Sequence, residues 1–142
     1  MKPIGYWLNR TDQALTASMD ALLADFGLTR LAWQVLNVVE DEPRATDTTV
    51  LTTLAAGADA EQLTSAVASV LAGGWVTRPR PGHLALTDGG RARLAEVARR
   101  VDAFRELSAR GITREEYVTA VTVLERMTRN LTEPRAGSAA RP

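Results

Sequence analysis

The chain has 142 residues, of which 45% are hydrophobic and 24% are charged, a composition typical of one globular domain rather than of a disordered chain. It contains no cysteine, which excludes disulfides and thiolate metal sites. No apolar run approaches the length of a membrane span, and the first ten residues lack the apolar core of a signal peptide. A cytoplasmic protein that does not enter the membrane is therefore expected.

A formal net charge of zero conceals two halves of opposite sign. Residues 1–77 hold four basic and nine acidic residues, a net charge of −5. Residues 78–142 hold thirteen arginines and eight acids, a net charge of +5. Because nucleic-acid-binding proteins present a basic face, any such face is expected in the second half of the chain.

Two helices are predicted at the beginning of the chain. In residues 4–25 apolar side chains recur at three- and four-residue steps, which is typical of a helix with a broad apolar stripe. Gly27 ends this helix. Thr29 can cap a second helix, since its hydroxyl can accept a free backbone N–H, and an acidic run before Pro43 ends that helix.

The third segment, residues 48–54, is ambiguous. Its sequence TTVLTTL is rich in β-branched residues, which lower helix propensity, so the local pattern favours a strand. A short helix capped by Asp47 is preferred, because its neighbours are helices and its leucines share a face. A fourth helix is predicted to begin after Asp59, which forms an Asp-x-x-Gln capping box with Gln62.

A glycine pair followed by strong turn residues indicates a hairpin after the fourth helix. Gly73 and Gly74 end the helix, since glycine readily adopts the left-handed conformation that closes helices. Residues 75–78 and 83–86 are predicted to be strands, and the sequence PRPG between them is typical of a turn.

Two further helices follow the hairpin. Residues 88–109 form a long amphipathic pattern, and a last helix begins at a capping box of Thr113 with Glu116 and runs to about residue 131. Residues 132–142 are small, polar and proline-bearing, and are predicted to be a disordered tail.

The order helix, hairpin, helix is a winged-helix pattern, in which the first helix enters a DNA groove and the hairpin lies along the backbone. The first and last helices carry longer apolar stripes than one small lobe can cover. They therefore predict a dimerisation layer, residues 1–26 and 105–131, in a two-fold homodimer. The alternative is a monomeric helical bundle.

Motifs spread over residues 4–131 occur in one known family. The matching residues are Gly27, Leu28, Thr29, Trp33, Val35, Leu36, Leu71, Gly74, Trp75, Val76, Arg78, Leu86, Thr87, Gly90, Thr113, Glu116, Leu124, Asn130 and Leu131. In this order and spacing the chain resembles the MarR family, the multiple-antibiotic-resistance type of winged helix-turn-helix regulators.

The resemblance implies a mainly α fold of six helices and a short two-stranded wing within a single domain, residues 1–131. It also implies that residues 29–104 form the winged-helix lobe. A small-molecule pocket, often for an aromatic acid or a phenolic metabolite, is implied where the lobe meets the dimer layer.

Two features depart from the family pattern. The basic residue that is usual in the reading helix falls on Ala66, and no lysine or arginine lies between Arg44 and Arg78, whereas three acids do. Because affinity for DNA depends on neutralised phosphates, a segment of net charge −3 opposes DNA binding. The hairpin is also short and lacks the family's Asp-x-Arg motif.

Polar residues of the fourth helix and basic residues of the hairpin are the candidate DNA contacts. Their side chains can bond to base edges or phosphates, and the alternative is a solvated surface. The candidates are Gln62, Thr64, Ser65, Ser69, Arg78, Arg80 and His83. For His83 an exposed strand residue is the favoured alternative. Arg91 and Arg93 could add phosphate contacts, but solvated surface charges are the preferred interpretation.

Aromatic and polar residues of the first two helices are the candidate effector contacts that the resemblance implies. They are Tyr6, Trp7, Arg10, Met19 and Trp33. Apolar pockets with a few polar groups suit flat aromatic ligands, and the alternative is core and dimer packing. No catalytic motif, metal-ligand spacing or cofactor motif is found, although acid–base chemistry by carboxylates in a pocket stays open.

Two functions therefore remain. The first is a dimeric regulator, in the form of a repressor, in which a small aromatic or hydrophobic ligand favours a lobe spacing that misfits double-stranded operator DNA. The second is a protein of this fold that has lost DNA binding and uses the pocket to bind, sequester or transform a metabolite.

Overall fold

The computed structural model describes residues 1–133 and shows six helices and one antiparallel hairpin in this part of the chain. The elements are α1 (Ile4–Ala24), α2 (Arg30–Asp41), α3 (Asp47–Leu54), α4 (Ala60–Ala72), β1 (Val76–Thr77), β2 (Ala85–Leu86), α5 (Asp88–Ser108) and α6 (Arg114–Thr132). The predicted mainly α fold with a two-stranded wing is confirmed. The tail predicted to be disordered lies outside the described residues, except for residues 132 and 133.

The chain divides into two compact units, Met1–Ala103 and Phe104–Pro142. The first contains α1 to α4, the hairpin and most of α5, whereas the second contains the end of α5 and all of α6. No helix of residues 1–133 combines the length and the hydropathy needed to cross a membrane.

Side-chain caps begin three helices where the sequence predicts them. The Thr29 hydroxyl accepts from the backbone N–H of Ala32 at 3.1 Å. The capping boxes of α4 and α6 are both closed in both directions, with Asp59 and Thr113 as the N-caps. Each such cap satisfies N–H groups that the first turn of a helix leaves without a partner.

The ambiguous third segment is a helix, but its cap is Thr46 and not Asp47. The Thr46 hydroxyl accepts from the N–H of Thr49, and the Thr49 hydroxyl accepts from the N–H of Thr46. This reciprocal pair and the fully buried Val50 keep the β-branched run helical. Asp47 becomes the first helical residue, which leaves its carboxylate free for another partner.

The core of the first unit lies between α2 and α4. α2 buries five residues, Ala32, Val35, Leu36, Val38 and Val39, and α4 buries Leu63, Ala66, Val67 and Val70. The end of α1 adds Leu22 and Leu23, and one face of α5 adds Leu94, Val97 and Val101. Since burial of each such side chain contributes about 1.5–3 kcal/mol, this core supports the elements that carry the candidate site.

The wing strands are shorter than predicted. β1 pairs with β2 in the register Val76↔Leu86 and Thr77↔Ala85, and the prolines of the intervening turn cannot donate to a longer ladder. The start of the predicted second strand instead pairs with the segment before α3. His83 forms a bridge with Thr46, and the Leu84 N–H donates to the carbonyl of Ala45 at 2.9 Å.

The base of the wing is closed by a very short approach between α5 and the backbone of Trp75. A Cβ atom added to Gly90 would lie 1.9 Å from the Trp75 carbonyl oxygen. The Thr87 hydroxyl donates to the Gly74 carbonyl at 2.7 Å and accepts from the Gly90 N–H at 2.8 Å. Glycine is therefore required at position 90 for the wing and α5 to meet.

The terminal helices bury little within the described chain. α1 has only Leu22 and Leu23 buried, and α6 has no buried residue. The exposed large apolar side chains of these helices and the loop before α6 are Ile4, Tyr6, Trp7, Leu8, Leu15, Ile112, Tyr117, Val118, Val121, Val123 and Leu131. Each of these helices therefore has apolar side chains that the described residues do not cover.

Candidate nucleic-acid interface

The outward face of α4 is polar and is built from small side chains. Gln62, Thr64, Ser65 and Ser69 are all exposed, so the four candidate contacts of this helix reach solvent. Ala66 lies on the opposite face and is buried. A basic side chain at position 66 would therefore enter the core, so the basic residue that the family pattern assigns to this helix has no solvent-facing counterpart at Ala66.

The beginning of α4 is acidic. A shallow cleft of about 370 Å³ is lined by Leu31, Asp59, Glu61, Gln62 and Ser65. The Gln62 carbonyl oxygen accepts from the Asp59 N–H at 3.0 Å, while the Asp59 carboxylate accepts from the Gln62 N–H at 2.8 Å. The side-chain oxygen of Gln62 is therefore engaged in the helix cap, whereas its amide N–H groups remain available to donate to a partner.

Arg78 leaves the end of β1 and binds Asp47 at the start of α3. Its two terminal nitrogens donate to the two carboxylate oxygens at 2.6 and 3.0 Å, and one also lies 3.5 Å from the His83 carbonyl oxygen. The hydrogen bond from Arg78 holds the pKa of the Asp47 carboxyl below its ordinary value, and the same bond raises the pKa of Arg78. The candidate phosphate contact is thus already neutralised by a partner 31 residues away.

The other two wing candidates differ in their surroundings. Arg80 is exposed in the turn between the strands, where its charge faces solvent. His83 is half-buried, and its ring Nδ1 lies 3.2 Å from the Pro81 carbonyl oxygen. The backbone N–H of His83 donates to the Arg80 carbonyl. His83, expected as an exposed residue of the second strand, instead lies outside β2 at the end of the turn, forms an isolated bridge with Thr46, and has a ring that contacts the turn.

Arg93, interpreted from the sequence as a surface charge, instead connects three parts of the first unit. Its guanidinium lies over the Trp75 ring, 3.9 Å from the centroid. It also donates to the Gly73 carbonyl at 3.3 Å and lies 3.5 Å from the Phe26 carbonyl oxygen. Only the basic residue itself was visible in the sequence, because its partners lie 18 to 67 residues away.

Arg91 shares a cleft with acidic residues. It lines a small cleft of about 150 Å³ together with Glu40 and Glu42. With Arg78 paired, Arg93 stacked and Arg91 beside carboxylates, the exposed positive charge near α3 and α4 comes mainly from Arg44 and Arg80.

The candidate effector residues fall into separate places. Tyr6 and Trp7 contact each other edge to face with ring centroids 5.1 Å apart, and the Arg10 guanidinium lies 5.7 Å from the Tyr6 centroid. Met19 and Trp33 are half-buried. Met19 is twelve residues beyond Trp7, which is about 18 Å along a helix, so the first three residues form one group and Met19 belongs to another region.

Within residues 1–133, no group of His, Cys, Asp and Glu side chains is arranged to hold a metal ion. The sequence itself matches no protein-family model. It also matches no curated protein.

Solved structures do match the fold. MarR from E. coli superposes with a TM-score of 0.68 at 20% identity, over 89% of this chain and 94% of that chain. BpsR from Bordetella bronchiseptica, whose DNA binding is regulated by 6-hydroxynicotinic acid, gives 0.67 at 21% identity over 89% and 94%. The transcriptional repressor CouR, solved with p-coumaroyl-CoA bound, gives 0.70 at 25% identity over 89% and 92%.

Three observations agree: six helices in the order described, a wing between α4 and α5, and near full-length superposition on several regulators. The likeness establishes architecture, since identities of 20–25% preserve a fold more reliably than they preserve a function. The chain therefore has the winged helix-turn-helix fold of the MarR-family regulators.

Proposed function

We propose that the protein is a cytoplasmic, ligand-responsive transcription regulator of the MarR type that binds double-stranded operator DNA as a homodimer. The observation that carries this proposal is the outward face of α4. Four adjacent polar side chains are exposed on a helix whose other face is anchored in the core, next to a wing with an exposed arginine. Such a helix can enter the major groove while the wing lies along the backbone.

The side chains of this face suit base contacts better than phosphate contacts. Hydroxyl and amide groups of Thr64, Ser65, Ser69 and Gln62 can donate to or accept from base edges. Phosphate contacts from the same lobe are left to Arg44 and Arg80, because Arg78 is paired. Binding is therefore expected to show a shallow salt dependence and to rely on two half-sites rather than on charge.

Dimerisation is supported by the exposed apolar residues of α1 and α6. A helix of 19 residues with no buried side chain is not stable by itself in water, since most helical stability in proteins comes from packing. A second copy would cover such faces and would present two α4 helices to two half-sites. Repression is the expected mode, as for CouR.

The proposed ligand class is an aromatic acid or a conjugate of one. Among the superposed regulators, 6-hydroxynicotinic acid regulates DNA binding by BpsR, and CouR was solved with p-coumaroyl-CoA bound. In this chain Tyr6, Trp7 and Arg10 form an exposed group of two rings and one cation. The rings can stack on an aromatic ligand, and the guanidinium can bind its carboxylate.

One specific observation favours a second candidate, a protein of this fold that binds a metabolite without reading DNA. The segment from α3 to β1 carries three acids and no base, and the first arginine after it is bound to Asp47. Under this candidate the group around Tyr6 remains functional whereas the face of α4 does not contact DNA.

Fluorescence anisotropy with labelled duplex from the region upstream of the gene tests the first candidate. Gln62→Glu adds a negative charge to the α4 face and keeps a good capping residue at that position. We expect it to weaken binding at least tenfold, since it repels phosphate and loses both amide donors. Gln13→Glu, the same change at an exposed position of α1, should leave affinity within twofold.

The same assay separates the two candidates. The regulator requires that the unaltered protein bind the duplex and that 6-hydroxynicotinic acid or a related aromatic acid change the affinity. If the protein binds no duplex at low salt while its tryptophan fluorescence responds to the acid, the second candidate replaces the first.

A further inference from the structure

The ion pair between Arg78 and Asp47 is held in place by the backbone on both sides. The Asp47 N–H donates to the carbonyl of Gly82 at 3.2 Å, and the Leu84 N–H donates to that of Ala45 at 2.9 Å. The bridge between Thr46 and His83 lies between these two bonds. These backbone bonds attach the wing turn to the start of α3. They therefore hold the Asp47 carboxylate in position to bind the Arg78 guanidinium.

Asp47 binds the arginine, Arg78, that a DNA phosphate would otherwise bind. A guanidinium fork binds a carboxylate or a phosphate through the same two parallel N–H groups. Here both terminal nitrogens of Arg78 are engaged, one with each oxygen of Asp47. A DNA phosphate that uses the same two N–H groups must therefore displace the carboxylate, and one that binds the remaining N–H groups of Arg78 meets the negative charge of Asp47 beside it.

We propose that Asp47 is an intramolecular competitor of DNA phosphate, which holds Arg78 in a neutral pair and so lowers the general affinity of the wing for duplex DNA. This inference rests on the DNA-binding function proposed above. Its consequence is specificity: with one wing arginine paired and one exposed, stable binding depends on base contacts from α4. Asp47 is in this sense a specificity-determining residue that need not touch DNA.

The test is Asp47→Asn, which removes the charge and keeps a carbonyl oxygen of the same size at the same position. Released from the pair, each Arg78 can neutralise one phosphate, so the dimer gains two contacts. We expect tighter binding to a labelled duplex of random sequence and a salt dependence steeper by about 1.8 in log–log slope. That slope corresponds to an additional loss of about tenfold in affinity between about 50 and 200 mM salt.

Two variants show whether the gain comes from Arg78. In Asp47→Asn with Arg78→Ala the steeper slope should disappear, since no arginine is released. Glu61→Gln removes the same charge from the same lobe, at an exposed residue that pairs with no arginine among residues 1–133. It should change the slope by much less than Asp47→Asn does. Thermal melts confirm that all variants are folded.

Each result decides between the proposals. If the unaltered protein binds and Asp47→Asn binds no more tightly than Glu61→Gln, the competition is rejected and the regulator function stands. The competition is also rejected if the gain survives Arg78→Ala. If only Asp47→Asn binds, and does so through Arg78, the competition stands and unaided DNA binding by the natural chain is rejected. Absence of binding by every variant rejects both.

Discussion

α4 and α6 are both amphipathic helices, yet they complete their packing in different ways. α4 has 13 residues and buries Leu63, Ala66, Val67 and Val70 inside its own unit. α6 has 19 residues and buries none in the described chain, with Tyr117, Val118 and Val121 about half exposed. The lobe that carries the candidate DNA site is therefore packed within one chain, whereas the last helix has an apolar face that a second copy is expected to cover.

Changes in the lobe should consequently reduce the stability of each chain, and changes in α6 should reduce association. Two pairs of substitutions test this difference and a fifth tests the beginning of α6, beginning with the largest expected effect.

The largest effect is expected for Gly90→Ala. The added Cβ would meet the Trp75 carbonyl oxygen at 1.9 Å, and this neighbour is backbone that cannot rotate away. We expect the free energy of unfolding to fall by about 3 kcal/mol or more, measured by urea denaturation.

Gly89→Ala is the matched control for that substitution. Its Cβ would find only the Thr87 hydroxyl, at 4.0 Å, and alanine is the better helix former by up to about 1 kcal/mol. A neutral or stabilising effect is expected at position 89. Equal losses at the two positions would contradict the close approach of α5 to Trp75.

Next is Val121→Glu in α6. The substitution places a charge on the exposed apolar face and should weaken dimerisation about a hundredfold, which is about 2.7 kcal/mol, because a buried unpaired charge is costly. Light scattering should then report a particle near 15.3 kDa. Thr122→Glu, one residue further on the helix and also exposed, should leave the dimer intact if it lies off that face.

The smallest effect concerns pH and the beginning of α6. The Thr113 N–H donates to the Glu116 carboxylate at 2.9 Å, and this bond lowers the pKa of Glu116 below its ordinary value of 4.5. A carboxyl whose pKa is lowered by folding contributes stability above its unfolded pKa and loses it as the pH falls through the folded pKa. Helicity of α6 should therefore decline below about pH 4.5, and Glu116→Gln should reduce this dependence in circular dichroism.

Local chemistry explains which parts of the fold were predictable. The capping boxes of Asp59 with Gln62 and of Thr113 with Glu116 join residues three positions apart, so the sequence displays them directly. The sequence predicts the cap of α3 one residue late because Thr46 and Asp47 are neighbours and both are good caps. The reciprocal bonds between Thr46 and Thr49 show that Thr46 is the cap, while the Asp47 carboxylate binds Arg78.

The candidate site was less predictable, since its charges are decided by partners far along the chain. The polar face of α4 follows from helical spacing, and its four exposed residues are where the sequence puts them. The burial of Ala66 does not follow from residue type, because alanine is found on both faces of helices. Pairing of Arg78 and stacking of Arg93 on Trp75 require the folded backbone, which brings together residues with no relation in sequence.

The placement of Arg93 has a mechanical consequence. This single side chain of α5 touches the carbonyl that ends α4 and the carbonyl that follows α1, while Arg100 binds Asp25 at 2.8 Å on the same turn after α1. The C-terminal ends of α1 and α4 therefore both contact the same helix, α5. Because Leu22 and Leu23 hold the same end of α1 in the core, a displacement of this end would act on α5 and on the end of α4 both through the core and through Arg93.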